Sequence, residues 1–171
     1  FFDLFVIGDG EEAVSELVDV YREWKMDGAN REEFLLKAAA IPGVYVPSFY
    51  DVEYYADGTV KAIIPNRSGA PDRIEKRVVK DLDAAVFPDK FVVPYIDVVH
   101  DRIMLEVMRG CTRGCRFCQA GMIYRPVRER RRATLLKQAE ALAAATGYEE
   151  ISLTSLSTSD YSGIEHLVDE L

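Results

Sequence analysis

All three cysteines of the chain fall within eight positions, in the stretch CTRGCRFC, where Cys111, Cys115 and Cys118 stand at C-x3-C-x2-C spacing. No other feature limits the fold as sharply. Three thiols on one loop must be able to reach a common point, and the backbone around them must bend tightly to allow it. Gly110, Gly114 and Gly121 punctuate the loop and supply that freedom. An odd number of closely spaced cysteines does not build a disulfide framework, whereas thiolates suit a soft metal. A structural zinc site needs a fourth tight ligand, and the two histidines, His100 and His166, stand at no finger-like spacing from the cysteines. An electron-transfer cubane cluster takes four cysteines. Three leave one iron without a protein thiolate, and an open metal position is what a metal-bound substrate or cofactor needs.

The segments around the loop give the fold class. RIMLEVM, residues 102–108, reads as an apolar strand broken only by Glu106, as in a parallel sheet covered on both faces. The spacing predicts a helix over 128–146, with Leu135, Ala139, Leu142 and Ala143 on one face and Gly147 as its stop. EEISLTSL is the next strand, and Ser162 with Glu165 forms a capping box for a second helix. The order is strand, cysteine loop, helix, strand, helix. The expectation is an α/β fold, the first βα units of a partial (β/α) TIM-like barrel. Its chemistry belongs at the C-terminal ends of the strands, where the cysteines lie.

Upstream, residues 2–7 read as a buried strand, Gly8-Asp9-Gly10 as a tight turn, and EEAVSELVDVYREWK as a helix. Val14, Leu17, Val18, Tyr21 and Trp24 recur at helical spacing, with Trp24 read as core. NREEFLLKAAAIPG is a second helix, capped by Asn30 with Glu33 and ended by Pro42-Gly43. A hairpin is expected around Asp57-Gly58, with a type I′ turn, and residues 66–100 read as a connector. GDGEEA fits a dinucleotide-binding G-x-G-x-x-G/A pattern, but a helix follows where a strand ending in an acid belongs. Two acids at the helix start would also repel a pyrophosphate. A structural turn is the reading.

The net charge of −8 argues against a general nucleic-acid binder, yet eight arginines stand between Arg109 and Arg132. Charge runs of this kind are mostly solvated, and the stretch reads as an exposed helix start over a phosphate-binding surface. No run of 18 apolar residues exists and no leader is visible, so no membrane segment is expected and the cytoplasm is the expected compartment. The chain begins in mid-strand without an initiator Met and ends inside a helix with no stop signal, which reads as a fragment of a longer protein.

With Phe117 as the aromatic before the last cysteine, CTRGCRFC after a first strand resembles the signature of the radical S-adenosylmethionine (radical SAM) superfamily. The resemblance implies that Cys111, Cys115 and Cys118 hold a [4Fe–4S] cluster whose fourth iron is chelated by the methionyl amine and carboxylate of SAM. Reductive cleavage of SAM then gives a 5′-deoxyadenosyl radical that takes hydrogen from a substrate. The backbone at Phe117 would lie near the adenine. Where many members carry a Gly-Gly-Glu-like stretch for the SAM amine, this chain departs and reads SLSTSDYS, with Asp160 as the only acid. Ser157, Thr158 and Asp160 are the candidates there.

FVIGDGEEAVSELVDVYREW followed by AAIPGVYVP resembles the last strand and helix of a cobalamin-binding-like Rossmann domain that precedes the radical SAM core in one subgroup, uncharacterised bacterial proteins among them. The implied plan is residues 1–28 as the end of that Rossmann-like domain, 29–100 as a connector with helix and hairpin, and 101–171 as the start of the barrel. Cobalamin itself depends on a histidine motif that would precede residue 1. RNA methylthiolation and cobalamin-dependent methyl transfer are the reactions weighed, with the substrate unknown. RNA-methylthiolating relatives usually carry three more cysteines in an N-terminal domain, absent from this sequence. On this reading the parent is an enzyme, while the fragment alone is inactive and oligomerises through exposed sheet edges. The alternative is a non-catalytic zinc or Fe–S scaffold or interaction module.

Overall fold

Short apolar runs broken by glycine and proline yield short ladders, and the computed structural model is a mixed α/β chain with four two-stranded sheets among the described residues. It describes residues 2–96 and 98–171, which divide into two units, Phe1–Val79 and Lys80–Leu171.

In the first unit, strand β1 (Phe5–Val6) leads through Gly8-Asp9-Gly10 into helix α1 (Glu11–Asp27), and helix α2 (Arg31–Ala39) leads to strand β2 (Val44–Tyr45). β1 and β2 pair antiparallel. The strand expected over 2–7 is only two residues long, and Phe5 is exposed. Gly8 has φ +111°, and a Cβ there would lie 2.1 Å from the Arg77 carbonyl oxygen. Arg77 is thus the group that approaches this turn. Its amide donates to the Ile7 carbonyl at 2.9 Å, and its guanidinium reaches Glu12 and Glu16 on α1.

The core face of α1 differs from the expected one. Val14, Val18 and Tyr21 are exposed, whereas Ala13 is buried and Leu17 and Val20 pack on the core. Positions 13, 17, 20 and 24 share a face at helical spacing. Trp24 is half-buried, its ring 5.4 Å from Phe34 and its Nε1 donating to the Asn30 carbonyl at 2.8 Å. The α2 cap forms as expected, with the Glu33 amide donating to Asn30 Oδ1 at 3.0 Å. Leu35, Ala38, Ala39, Ile41, Val44, Val46 and Phe49 form the core of this unit.

The hairpin pairs β3 (Tyr50–Tyr54) with β4 (Val60–Pro65). Its turn is not type I′, which needs two left-handed residues. Gly58 alone has positive φ, at +82°, with its amide donating to the Tyr55 carbonyl at 3.0 Å.

In the second unit, β5 (Ile103–Glu106) pairs parallel with β8 (Ile151–Thr154), from Ile103 opposite Ile151 to Glu106 opposite Thr154. Between them lie β6 (Met108–Arg109), α3 (Ala120–Ile123), β7 (Arg128–Glu129) and α4 (Arg132–Thr146), and α5 (Ile164–Glu170) follows β8. Leu135, Ala139 and Leu142 of α4 and Leu167 of α5 share a core with Ile103, Leu105 and Val107. Met104, between those core residues, is 51% exposed, so the strand is covered on one face and not on both.

Two further readings are corrected. Residues 128–129 are a strand, β7, paired antiparallel with β6, and the helix starts at Arg132. The ladder to Met108 and Arg109 outweighs the helix propensity of the arginines. Ser162 does not cap α5. Its amide donates to Glu129 Oε1 at 3.1 Å, and its hydroxyl bonds the other oxygen of the same carboxylate.

Residues 80–91 are built into this unit. Leu82 is fully buried, and Phe87 and Phe91 pack on the core. Asp83 accepts from the Arg131 amide at 2.9 Å and from Arg131 Nε at 2.7 Å. Burial pushes the Asp83 carboxyl up, but hydrogen bonds from Arg131, Thr134 and the Arg131 amide prevail and hold it below the usual carboxylate range. A carboxyl depressed on folding adds stability above its unfolded pKa, about 3.9, and that stability is lost as pH falls through the folded value. Asp83→Asn should therefore flatten the acid limb of a denaturant-midpoint profile below about pH 4. An acid limb as steep as in the parent chain would refute this role.

Among the described residues, no helix is long and apolar enough to cross a membrane.

Candidate functional site

The cysteine loop leaves the end of β6. Gly110, at φ +90°, makes the first bend, and the space beside its Cα is closed by the backbone of residues 124–127. Cys111 is consequently buried, while Cys118 is half-buried and Cys115 exposed; all three are free thiols. The Arg113 amide donates to Cys111 Sγ at 3.4 Å, and the Cys118 amide turns back onto the Cys115 carbonyl at 3.0 Å. Phe117 projects outward, 93% exposed.

The parallel pairing of β5 with β8 places the loop after β8 at the same end of the sheet. Here hydroxyls and one carboxylate interlock. Thr158 Oγ1 and Ser155 Oγ are 3.1 Å apart, and the Ser157 amide donates to Ser155 Oγ at 3.1 Å. Ser157 Oγ donates to Asp160 Oδ2 at 2.7 Å. The Arg113 guanidinium grips the same carboxylate with two prongs, Nε to Oδ2 at 2.5 Å and Nη2 to Oδ1. Hydrogen bonds from Arg113 first, and Ser157 second, hold the Asp160 carboxyl below its usual range.

Ser157, Asp160 and the cysteine loop are therefore joined, whereas Thr158 turns to Ser155 and Phe117 stands in solvent. His100 meets Arg102 at 3.4 Å. Sequence reasoning missed Arg113. Its signal was present, an arginine inside the cysteine motif and a single acid in the loop after the next strand, but only the topology pairs them.

The arginine run is a solvated helix start only in part: Arg131 and Arg132 stand exposed at the start of α4, but the residue before them is buried. Arg130 is 3% exposed and donates to the Leu82 carbonyl, to the Glu106 carbonyl at 3.1 Å and to Glu106 Oε2 at 3.3 Å. Arg109 forks onto the same carboxylate at 2.9 Å from each nitrogen. Arg131 pairs with Asp83, and Arg132 with Glu170 at 3.4 Å. The backbone of Arg130 accepts from the buried Tyr161 hydroxyl at 2.9 Å. These bonds seat β7, and with it the far wall of the cysteine loop.

Among the described residues, no three His, Cys, Asp or Glu side chains lie close enough together to hold a metal ion as they stand. The donor chemistry nevertheless fits a soft cluster with one non-protein position: three free thiols on a glycine-bounded loop, from buried Cys111 to open Cys115.

Two family models match the chain. The one described as Radical SAM proteins, N-terminal, matches residues 1–47, and the one described as Radical SAM superfamily matches residues 105–171. The chain belongs to the radical SAM superfamily. This radical SAM chain is 26% identical over all its 171 residues to an uncharacterized protein of Methanocaldococcus jannaschii, of which it covers 31%. It is 31% identical over 94 residues, 55% of its length, to the threonylcarbamoyladenosine tRNA methylthiotransferase of Bacillus subtilis, of which it covers 18%. The chain thus spans less than a third of either curated relative. No solved structure matches it.

Proposed function

We propose that this chain carries the cluster-binding segment of a radical SAM enzyme, with Cys111, Cys115 and Cys118 as the ligands. The observation that carries the reading is the C-x3-C-x2-C loop at the C-terminal end of a parallel βαβ pair, facing the polar loop after β8. A [4Fe–4S] cluster held there would pass one electron to the sulfonium of SAM and cleave it to methionine and a carbon radical able to take hydrogen from a substrate. The protein's own part is geometric. Gly110 and β7 fix where the loop begins, and Arg113 holds it to the loop after β8. There Ser157, Thr158 and Asp160 offer hydroxyl and carboxylate partners for the SAM amine, with the Phe117 backbone beside the adenine.

The same reading takes residues 101–171 as the first βα units of a TIM-like barrel, 1–28 as the end of a cobalamin-binding-like Rossmann domain, and 29–100 as the connector. The strand–turn–helix of β1 and α1 supports the second element, and whether cobalamin binds belongs to the parent protein. β5 and β8 each have one neighbour among the described residues, which supports further strands, or another copy, pairing at their free edges. The cytoplasm is the compartment we propose. A tRNA is named as the substrate of the Bacillus relative and supports RNA as one candidate substrate class. The ion pairs of Arg109, Arg113, Arg130, Arg131 and Arg132 count against the arginine run as its phosphate contact.

Anaerobic reconstitution of the parent protein tests the proposal. The expected result is about four irons and four sulfides per chain, lost in each single Cys→Ala variant, with a reduced-cluster paramagnetic signal that changes when SAM is added. One tightly bound zinc in place of iron would overturn it and favour a non-catalytic scaffold.

A further inference from the structure

We infer that Arg113 is a positioning residue, whose two-pronged grip on Asp160 fixes the cysteine loop against the loop after β8 and so sets where the two loops can meet a shared ligand. The inference rests on the cluster reading for its ligand and on geometry alone for its mechanism.

Four contacts form a continuous chain across the site. The Arg113 amide touches Cys111 Sγ at 3.4 Å, so the residue is built onto the one buried thiol. Its guanidinium then reaches 47 residues along the sequence to both oxygens of Asp160. Ser157 Oγ holds that carboxylate from the other side at 2.7 Å. The Asp160 amide donates to the Ser157 carbonyl at 2.9 Å and closes the one-turn 3₁₀ helix Thr158–Asp160. A thiol, a guanidinium, a carboxylate and a hydroxyl are linked without a gap.

This is a poor way to stabilise a fold. The Arg113 side chain is 60% exposed, and exposed ion pairs contribute little to stability. It is a good way to fix an orientation. A guanidinium offers a planar fork that matches a carboxylate, so it sets angle as well as distance, which a lysine ammonium does not. The neighbouring backbone is open enough to need such a device: beyond Gly114 and its two chain neighbours, the nearest atom to where a Gly114 Cβ would stand is the Thr112 carbonyl oxygen at 4.0 Å, and the backbone there is at φ +62°.

The test compares the parent protein with Arg113→Ala, Arg113→Lys, Asp160→Asn, the double variant Arg113→Ala/Asp160→Asn and the charge swap Arg113→Asp/Asp160→Arg. Two readouts are taken. In the cluster-free protein, amide hydrogen exchange over residues 111–118 and 155–160 should quicken in both segments together in either single neutral variant. After reconstitution, the single neutral variants should keep their iron but bind SAM about tenfold more weakly, the usual scale for a residue acting through another. The double variant should be no worse than the singles, the swap should recover the exchange readout alone because it removes the Asp160 carboxylate offered to the SAM amine, and lysine should recover both readouts only in part. Quickened exchange confined to the mutated segment, additive losses in the double variant, or full recovery by lysine would each overturn the inference. If the protein takes zinc instead of iron, the cluster reading falls, while the exchange measurement still decides whether the pair couples the loops.

Discussion

Replacing Arg130 by methionine should destabilise the Lys80–Leu171 unit by about 3–5 kcal/mol, the range for breaking a buried ionic network. The reason lies in what the guanidinium satisfies. Arg130 is 3% exposed and donates to the carbonyls of Leu82 and Glu106 as well as to the Glu106 carboxylate, with Phe87 beneath it at 5.7 Å. Methionine fills the volume but donates nothing. Arg109 still forks onto Glu106, so that carboxylate keeps a partner. The two carbonyls do not, and each buried unpaired acceptor costs about 1–3 kcal/mol. The loss of the ring contact adds to this. Arg132, two residues on, supplies the control, because its pair with Glu170 is open to water and its removal should leave stability nearly unchanged. Trp24, the only tryptophan, lies in the other unit, so the measurement is hydrogen exchange of the α4 amides around Leu135 and Leu142. Equal losses in the two variants would show that Arg130 is not the anchor described.

Gly110→Ala should be as damaging, and its damage should reach the cluster. At φ +90° an alanine is strained, and its Cβ would stand 2.7 Å from the Pro126 carbonyl oxygen and 2.8 Å from that of Tyr124. Both obstacles are backbone and cannot swing aside. Strain and overpacking together should cost about 3 kcal/mol or more. The local relief is for residues 124–127 to move away, which pulls β7 from β6 and shifts Cys111. Iron uptake should therefore fall with stability. Gly114→Ala sets the contrast, since its neighbourhood is open and only the backbone strain of about 1 kcal/mol applies. Iron bound by Gly110→Ala at the parent level, with thermal stability kept, would show that the loop's entry is not fixed there.

The parts of this molecule legible in its sequence are those whose partners lie within a few residues. The Asn30–Glu33 cap, the end of α4 at Gly147 and the spacing of the thiols all rest on local chemistry. The parallel order of β5 and β8 followed from the strand–helix–strand succession. Where the reading failed, distance along the chain was the cause. Arg130 looks like one charge in a run until Leu82, 48 residues earlier, is laid beside it. Arg113 and Asp160 are likewise unremarkable alone. The core face of α1 was missed because valines at 14 and 18 weigh the same as Ala13 and Leu17 in a helical pattern, and only the neighbouring elements choose between faces. At the site, the thiols and the serine-rich loop were legible, and the arginine that ties them was not.

The pairing of the arginine run also changes how this unit looks from far away. Arg109, Arg113, Arg130, Arg131 and Arg132 each have a carboxylate within 3.4 Å, so much of the positive field closes on itself. At physiological ionic strength such compensated pairs are screened within about 8 Å. Electrostatic steering raises encounter rates only where one sign of charge is left uncompensated over a surface. Those five pairs therefore add little long-range pull on a passing polyanion, and any attraction they exert is confined to short range.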